Sequence, residues 1–114
     1  MTKYIAIGVD AAGKIWAGHF GMAAVFQIYN RQGELVEVRD NPYGVKPGVR
    51  HEHHDDPKRI VKLLHDCDTF IARQMGEKSR RNLVEKQGID TVLTKEKDPQ
   101  LAVKDYLQSK GKGD

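Results

Sequence analysis

The most constraining feature of this sequence is the order in which apolar segments alternate with polar ones. Tyr4–Val9 is a short, continuous apolar run rich in β-branched residues, which is typical of a strand buried on both faces. Strand-like segments follow at 24–29 and 34–39, and residues 30–33 between them have the composition of a hairpin turn. The first third of the chain is therefore predicted to form an antiparallel meander.

The rest of the sequence alternates helices with strands. An Asp-Pro pair at 56–57 and another at 98–99 each place an N-cap before a proline at the first helical position. A basic helix is predicted over 76–86, with strands at 69–72 and 89–94. The order β-β-β-α-β-α-β-α with right-handed crossovers predicts an α/β fold, with helices packed on a five-stranded mixed sheet of order 3-2-1-4-5. That arrangement is the ribonuclease H-like architecture.

Length and composition limit the class of protein. The 114 residues are expected to form a single domain over 1–110, followed by a frayed tail over 111–114. Cys67 is the single cysteine and excludes a disulfide framework, and no apolar run approaches the roughly 20 residues that cross a bilayer. Because the first residues lead directly into a strand without a signal-peptide pattern, a cytoplasmic location is expected.

Charge gives little indication of a macromolecular partner. The formal charge of +3 is too small to indicate nucleic-acid binding, and no aromatic residue is interleaved with the basic residues at 78–81. Nothing in the composition indicates a membrane partner. We expect a monomer or a weak dimer.

The predicted fold is compatible with a nuclease, but the residues are not. Two-metal phosphoryl chemistry needs several carboxylates that converge on the two ions. Asp10 follows the first strand, whereas residues 73–75 after the fourth strand are Arg, Gln and Met. Asp10 is therefore interpreted as a turn residue. The sequence also lacks a nucleophile with an adjacent base, a phosphate-binding glycine loop and a zinc-finger cysteine pair, so an enzyme is not predicted.

His19 is the first candidate functional residue. It lies between Gly18 and Phe20-Gly21, in a turn that leads into the second strand. The glycines permit a sharp turn or a close approach to a ligand, and the carboxyl ends of parallel strands are the usual ligand sites of such sheets. From the residues alone, His19 is either a ligand or a turn histidine bonded to a backbone carbonyl.

The octet at 19–26, His-Phe-Gly-Met-Ala-Ala-Val-Phe, resembles the H-F-G-x-A-x-x-F signature of the dinitrogenase iron–molybdenum cofactor-binding family. That family includes NifX, NafY and the C-terminal domain of NifB. The first strand, the hairpin ending at 37–42 and the segment at 88–92 fit as well, so the resemblance covers roughly residues 3–107. One departure is the turn at 72–76, where many relatives are glycine-rich and this chain matches only at Gly76.

The resemblance implies a ribonuclease H-like fold and a non-catalytic accessory protein that carries an iron–sulfur or molybdenum–iron–sulfur cluster. It implies that His19, Phe20 and Gly21 form the cofactor-binding turn, with His19 nearest the cluster. Arg73 and Gly76 would complete the site, since a guanidinium offers fixed donors to an anionic cofactor. The implied partner is a cluster-assembly or cluster-receiving protein.

A second departure from the family pattern is the cluster of His51, His53 and His54. It lies in the segment 41–55, which shows no regular periodicity. Imidazoles at this spacing suit zinc, copper, nickel or iron, so all three histidines are candidate metal ligands together with His19. The segment is equally compatible with a solvated polar loop. Two further functions therefore stay open: a protein that binds a single zinc, nickel or copper ion, and a metal-free interaction domain. The loop is expected to become ordered when metal binds.

Overall fold

The computed structural model of the chain describes residues 3–42 and 57–112. The elements are, in chain order, β1 (Tyr4–Val9), a 3-10 turn (Phe20–Met22), β2 (Val25–Tyr29), β3 (Leu35–Asp40), α1 (Pro57–Leu63), β4 (Cys67–Ala72), α2 (Glu77–Glu85), β5 (Asp90–Leu93) and α3 (Pro99–Lys112). This is the predicted order of strands and helices. The last helix continues two residues past the expected domain end at 110.

The five strands form one sheet in the order β3-β2-β1-β4-β5, which confirms the predicted mixed sheet. β1 lies in the centre, antiparallel to β2 on one side and parallel to β4 on the other. β4 is in turn parallel to β5. The carboxyl ends of β1, β4 and β5 therefore lie at one end of the sheet.

The two faces of the sheet are covered by different helices, so the protein has two apolar layers. β1 contributes to both, because Ala6 faces the layer under α1 and α2 while Ile5 and Ile7 face the layer under α3. The first layer also contains Phe20, Phe26, Ile28, Leu64, Phe70 and Leu83, and the second contains Val9, Tyr29, Ile71, Ala102, Val103 and Tyr106. Burial on both faces explains why Tyr4–Val9 carries no polar residue.

Local hydrogen bonds confirm two of the predicted boundaries. Gly33 has a positive φ of 84° in the hairpin turn, and the Asn30 side chain accepts hydrogen bonds from the backbone N–H groups of Gln32 and Glu34. At the start of α3, the Asp98 carboxylate accepts a hydrogen bond of 2.9 Å from the Gln100 N–H. This is the N-cap that the Asp-Pro pair predicts.

Polar groups join β3 to the amino end of β4. The two terminal guanidinium nitrogens of Arg39 donate to the Asp66 carboxylate, at 2.7 and 2.6 Å. These hydrogen bonds lower the pKa of Asp66 to about 2. The adjacent Cys67 is buried, and burial raises its pKa to about 12, so the thiol is protonated at neutral pH, as expected of a core residue. Among residues 3–42 and 57–112, no helix is long and apolar enough to span a bilayer.

Replacement of Asp66 tests the ion pair. The pKa of Asp66 is lowered on folding, so its ion pair stabilises the protein above about pH 4 and is lost as the pH falls towards 2. We expect Asp66→Asn to lower the free energy of unfolding by roughly 2 kcal/mol at pH 7 and by much less at pH 2. Urea denaturation at the two pH values measures the difference.

The control is Glu77→Gln, which breaks the exposed ion pair between Glu77 and Arg81 and is expected to change stability by well under about 1 kcal/mol. An Asp66→Asn variant that is as stable as the wild type at pH 7 would contradict this account of the ion pair.

Candidate functional site

The turn after β1 is organised by Asp10. Its carboxylate accepts hydrogen bonds from the backbone N–H groups of Ala12 and Lys14, at 2.9 and 3.0 Å. Gly13, with a φ of 82°, closes the turn. Asp10 is thus a turn residue, as the sequence indicates, and its carboxylate is used in fixing the direction of the chain.

The chain then passes back across the carboxyl end of β1. Ile15 forms an isolated antiparallel bridge with Val9, and the Trp16 N–H donates to the Gly8 carbonyl at 2.8 Å. Gly8 also leaves room for the 3-10 turn that follows His19, because a Cβ at Gly8 would lie 2.6 Å from the Ala23 Cβ. The segment that carries His19 is therefore packed directly on the end of the central strand.

A backbone bridge joins the His19 turn to the turn after β4. His19 and Gln74 form a parallel bridge, and the Phe20 N–H donates to the Gln74 carbonyl at 3.1 Å. His19 itself has extended backbone angles, with φ −63° and ψ 138°, and its side chain is exposed. The structure thus brings together the two turns that the sequence places at the ends of β1 and β4.

Phe20 anchors this turn in the core. Its side chain is 3% exposed, and its ring centroid lies 4.7 Å from that of Phe70 and 5.0 Å from that of Phe26. The Phe20–Phe70 pair is stacked, and this stacking stabilises the turn beyond what the burial of the two apolar rings contributes. Phe20 was expected to be part of the cofactor-binding turn, and the structure places its side chain under the turn while His19 lies on the surface.

A buried asparagine holds the other side of the turn. The Asn41 side-chain amide donates to the carbonyls of Gly21 and Ala23, at 2.9 and 2.8 Å. Its backbone N–H donates to the Ala24 carbonyl at 3.3 Å, and the residue is 4% exposed. Sequence reasoning gave Asn41 no role of its own and counted it both in the hairpin end at 37–42 that fits the family and in the irregular segment 41–55. Its signals were that match and its position as a polar residue directly after a strand.

Arg73 and Gly76 lie on the β4 side of the site. Arg73 is half-buried and directly follows β4, and Gly76 is the N-cap of α2. Because Gly76 has no side chain, it forms no side-chain hydrogen bond with the first backbone N–H groups of α2. Arg73 directly precedes Gln74, and α2 begins three residues after it, so a cation and a helix N-terminus adjoin the His19–Gln74 bridge. The first turn of α2 also carries the exposed Glu77 carboxylate, which is paired with Arg81.

Trp16 adds a buried donor close to the turn. Its indole N–H has no hydrogen-bond partner among the described residues, although the nitrogen is shielded from solvent. A Cβ at Gly18 would lie 2.9 Å from that nitrogen. Imidazole, guanidinium and N–H groups are the donors that suit a metal–sulfur cluster with negative charge, so the residues present fit such a group.

The remaining candidate ligands are separate from this site. In the part of the chain that the structure describes, no three His, Cys, Asp or Glu side chains are grouped to hold a metal ion. Cys67 begins β4 and therefore lies at the opposite end of the sheet from His19. His51, His53 and His54 lie outside the described residues, as does all of the predicted loop apart from Asn41 and Pro42.

Replacement of Asn41 tests how the turn is held. In Asn41→Asp, a carboxylate would face two carbonyl oxygens in a buried position and could not donate to either. We expect the free energy of unfolding to fall by roughly 2–3 kcal/mol. The amides of Met22 and Ala23, which close the 3-10 turn, should exchange faster with solvent. Urea denaturation and hydrogen exchange measure the two effects.

Asn30→Asp is the matched control, because the Asn30 side-chain oxygen accepts hydrogen bonds from backbone N–H groups and a carboxylate can still do so. It loses only the exposed hydrogen bond that the Asn30 amide donates to Glu34, so it should lower stability by at most about 1 kcal/mol. Equal effects of the two substitutions would show that Asn41 does not hold the turn.

Two solved structures have a similar fold. The crystal structure of PH0822 has a TM-score of 0.64 and 17% identity, with 93% of this chain and 89% of that chain covered. The NMR structure of TM1290 from Thermotoga, described as a NifB protein of the DUF35 family, has a TM-score of 0.61 and 20% identity, with 93% and 88% covered. At these identities the likeness establishes the fold.

No curated protein matches the sequence. The family described as "Dinitrogenase iron-molybdenum cofactor" matches residues 1–109, nearly the whole chain, and these residues include the complete His19 turn. The chain belongs to the dinitrogenase iron–molybdenum cofactor family.

Proposed function

We propose that this protein is a non-catalytic carrier of an iron–sulfur or iron–molybdenum–sulfur cluster, which it binds as cargo and passes to a cluster-assembly or cluster-receiving protein. The observation that supports the proposal best is the position of His19. Its imidazole is exposed, while the backbone on both sides of it is fixed by the Gln74 bridge and by the buried Phe20 ring. A histidine whose backbone is already fixed in this way loses little conformational freedom when it binds a metal.

His19 is the proposed metal ligand. A carrier has to release what it binds, and one or two neutral imidazoles hold a preformed cluster less permanently than four thiolates do. The chain's single thiol, Cys67, is buried and protonated at the other end of the sheet. The donor set near His19 therefore suits a site of limited affinity from which a partner protein can take the cargo.

The neighbouring groups would balance the charge of the cargo. Arg73 follows β4 and supplies a guanidinium with several N–H donors, and α2 begins directly after Gly76. We assign cofactor binding to these two residues and to the His19-Phe20-Gly21 turn. Phe20 and Gly21 act through the backbone, because Phe20 is buried and the Gly21 carbonyl is bonded to Asn41.

We further propose that His51, His53 or His54 closes over the bound cargo as an additional metal ligand. The support for this is where the chain leaves the sheet. Pro42 follows Asn41, which is hydrogen-bonded to the His19 turn, so the segment with the three histidines starts beside the proposed site.

The His-x-His-His pattern also supports a second function, the binding of a single zinc, nickel or copper ion by that segment. An interaction domain without metal is the third possibility. Anaerobic purification followed by metal and sulfide analysis separates the three. Iron, or molybdenum with iron, together with sulfide supports the carrier. One divalent ion without sulfide supports the second function, and neither metal nor sulfide supports the third.

The test of the carrier function is cluster binding by His19→Ala. The probe is a preformed 4Fe–4S cluster or extracted iron–molybdenum cofactor, added anaerobically to the full chain. Trp16 is the only tryptophan and lies three residues before His19, so quenching of its fluorescence measures binding. We expect His19→Ala to weaken binding by at least roughly 10- to 100-fold, which is the range for loss of even an outer-shell partner at a metal site.

His65→Ala is the control, because His65 is an exposed histidine between α1 and β4, at the other end of the sheet. It should bind the cluster as the wild type does. Circular dichroism and urea denaturation should show His19→Ala folded, since its side chain is on the surface. Wild-type affinity in a folded His19→Ala protein would show that the site assignment is wrong.

A further inference from the structure

Met22 is an apolar residue of the His19 turn that the packing of the core does not explain. It ends the 3-10 turn Phe20–Met22, and its side chain is half-buried. Within the described structure it is not among the hydrophobic residues that pack against either apolar layer, whereas Met75, in the turn after β4, packs against the layer under α1 and α2. Core packing therefore accounts for Met75 but not for Met22.

The 3-10 turn brings Met22 next to His19. His19 is the N-cap of the turn, and the Met22 N–H donates to the His19 carbonyl at 2.9 Å. Residues three apart in a 3-10 turn lie one above the other. The N-cap and the third residue after it are also the two positions whose side chains meet in a capping box. The imidazole of His19 and the thioether of Met22 therefore occupy neighbouring positions on one turn.

The spacing between these two side chains is fixed by the residues that lie between them. The Phe20 side chain is buried beneath the turn, and the buried Gly21 accepts a hydrogen bond from the Asn41 amide through its carbonyl. The His19 side chain forms no capping hydrogen bond with the turn that these residues hold. Both possible ligands thus project from a backbone that is ordered by other contacts.

The chemistry of this pair favours a particular class of metal. A methionine thioether is a soft, uncharged ligand, and soft sulfur ligands select Cu(I) and the metals of iron–sulfur clusters. Zn²⁺ is instead held by thiolate, imidazole and carboxylate groups. An imidazole beside a thioether therefore suits a soft, thiophilic metal centre better than it suits Zn²⁺.

We propose that Met22 is a second metal ligand at the His19 site and that its thioether makes this site select soft, thiophilic metal centres over Zn²⁺. The inference rests on the proposed role of His19 as a metal ligand, and it adds the class of metal that the site prefers. The octet signature leaves the position of Met22 undefined, so this selectivity belongs to the present sequence and does not follow from the signature.

Silver(I) is the probe, because it is a soft monovalent ion like Cu(I) but is not oxidised in air. The full chain is labelled with ¹³C at the methionine methyl groups and the histidine rings, and silver is added in chloride-free buffer. We expect silver to shift the Met22 methyl signal and the His19 ring signal with one common midpoint and to leave the Met75 methyl signal in place. Zn²⁺ should shift the His19 ring signal without the Met22 methyl signal.

Met22→Leu removes the thioether and keeps an apolar side chain of similar volume. Silver affinity at His19 should fall at least roughly tenfold, the lower end of the range for loss of an outer-shell partner, while zinc affinity stays within about twofold. Met75→Leu is the matched control and should bind silver as the wild type does. Cys67→Ala should show the same Met22 shift as the wild type, because the buried Cys67 lies at the other end of the sheet.

Three results would overturn the inference. Met22→Leu binds silver at His19 as tightly as the wild type, or loses silver and zinc affinity equally. The Met22 methyl shift persists unchanged in His19→Ala, which would mean that silver binds a lone surface thioether. Neither ion moves the His19 ring signal, in which case the assignment of His19 as a metal ligand fails as well. In the first two cases only the role of Met22 fails.

Discussion

The hydrogen bond from the Phe20 N–H to the Gln74 carbonyl is the contact on which the proposed site depends. Residues 15–19 leave β1 and cross its carboxyl end, and without a tie to β4 they would form an ordinary surface loop. The bridge between His19 and Gln74 fixes the turn after β1 to the turn after β4. An exposed histidine, a half-buried arginine and the start of α2 are thereby held at one end of the sheet.

Three different interactions keep that bridge in place. Phe20 and Phe70 stack in the layer under α1 and α2, so the turn is attached to the core by a side chain. Gly8 leaves the space in which the turn approaches β1, and Asn41 donates to two of the turn's carbonyls. Each interaction comes from a different strand or turn. The surface position of His19 is thus determined by residues from several elements of the fold.

The strand order could be predicted from the sequence because it depends on local patterns. The apolar run Tyr4–Val9, the hairpin turn and the Asp98 N-cap each act over a few residues, and right-handed crossovers limit how the later strands are added. Asn41 could not be predicted in this way, because its partners Gly21 and Ala23 are distant in sequence. The bridge between His19 and Gln74 could not be predicted for the same reason, because the two residues are far apart in sequence. His19 was found through its glycine neighbours and the octet it begins, and the roles of His51, His53 and His54 stay predictions.

The central claim is that His19 is a metal ligand of the bound cargo. The most direct measurement is pulsed electron paramagnetic resonance on protein whose histidines carry ¹⁵N, loaded with a paramagnetic cluster. The account predicts a ¹⁵N hyperfine coupling of a directly bound imidazole in the wild type that is lost or reduced to weaker couplings in His19→Ala. An unchanged coupling in His19→Ala, or no imidazole coupling in the loaded wild type, would contradict it.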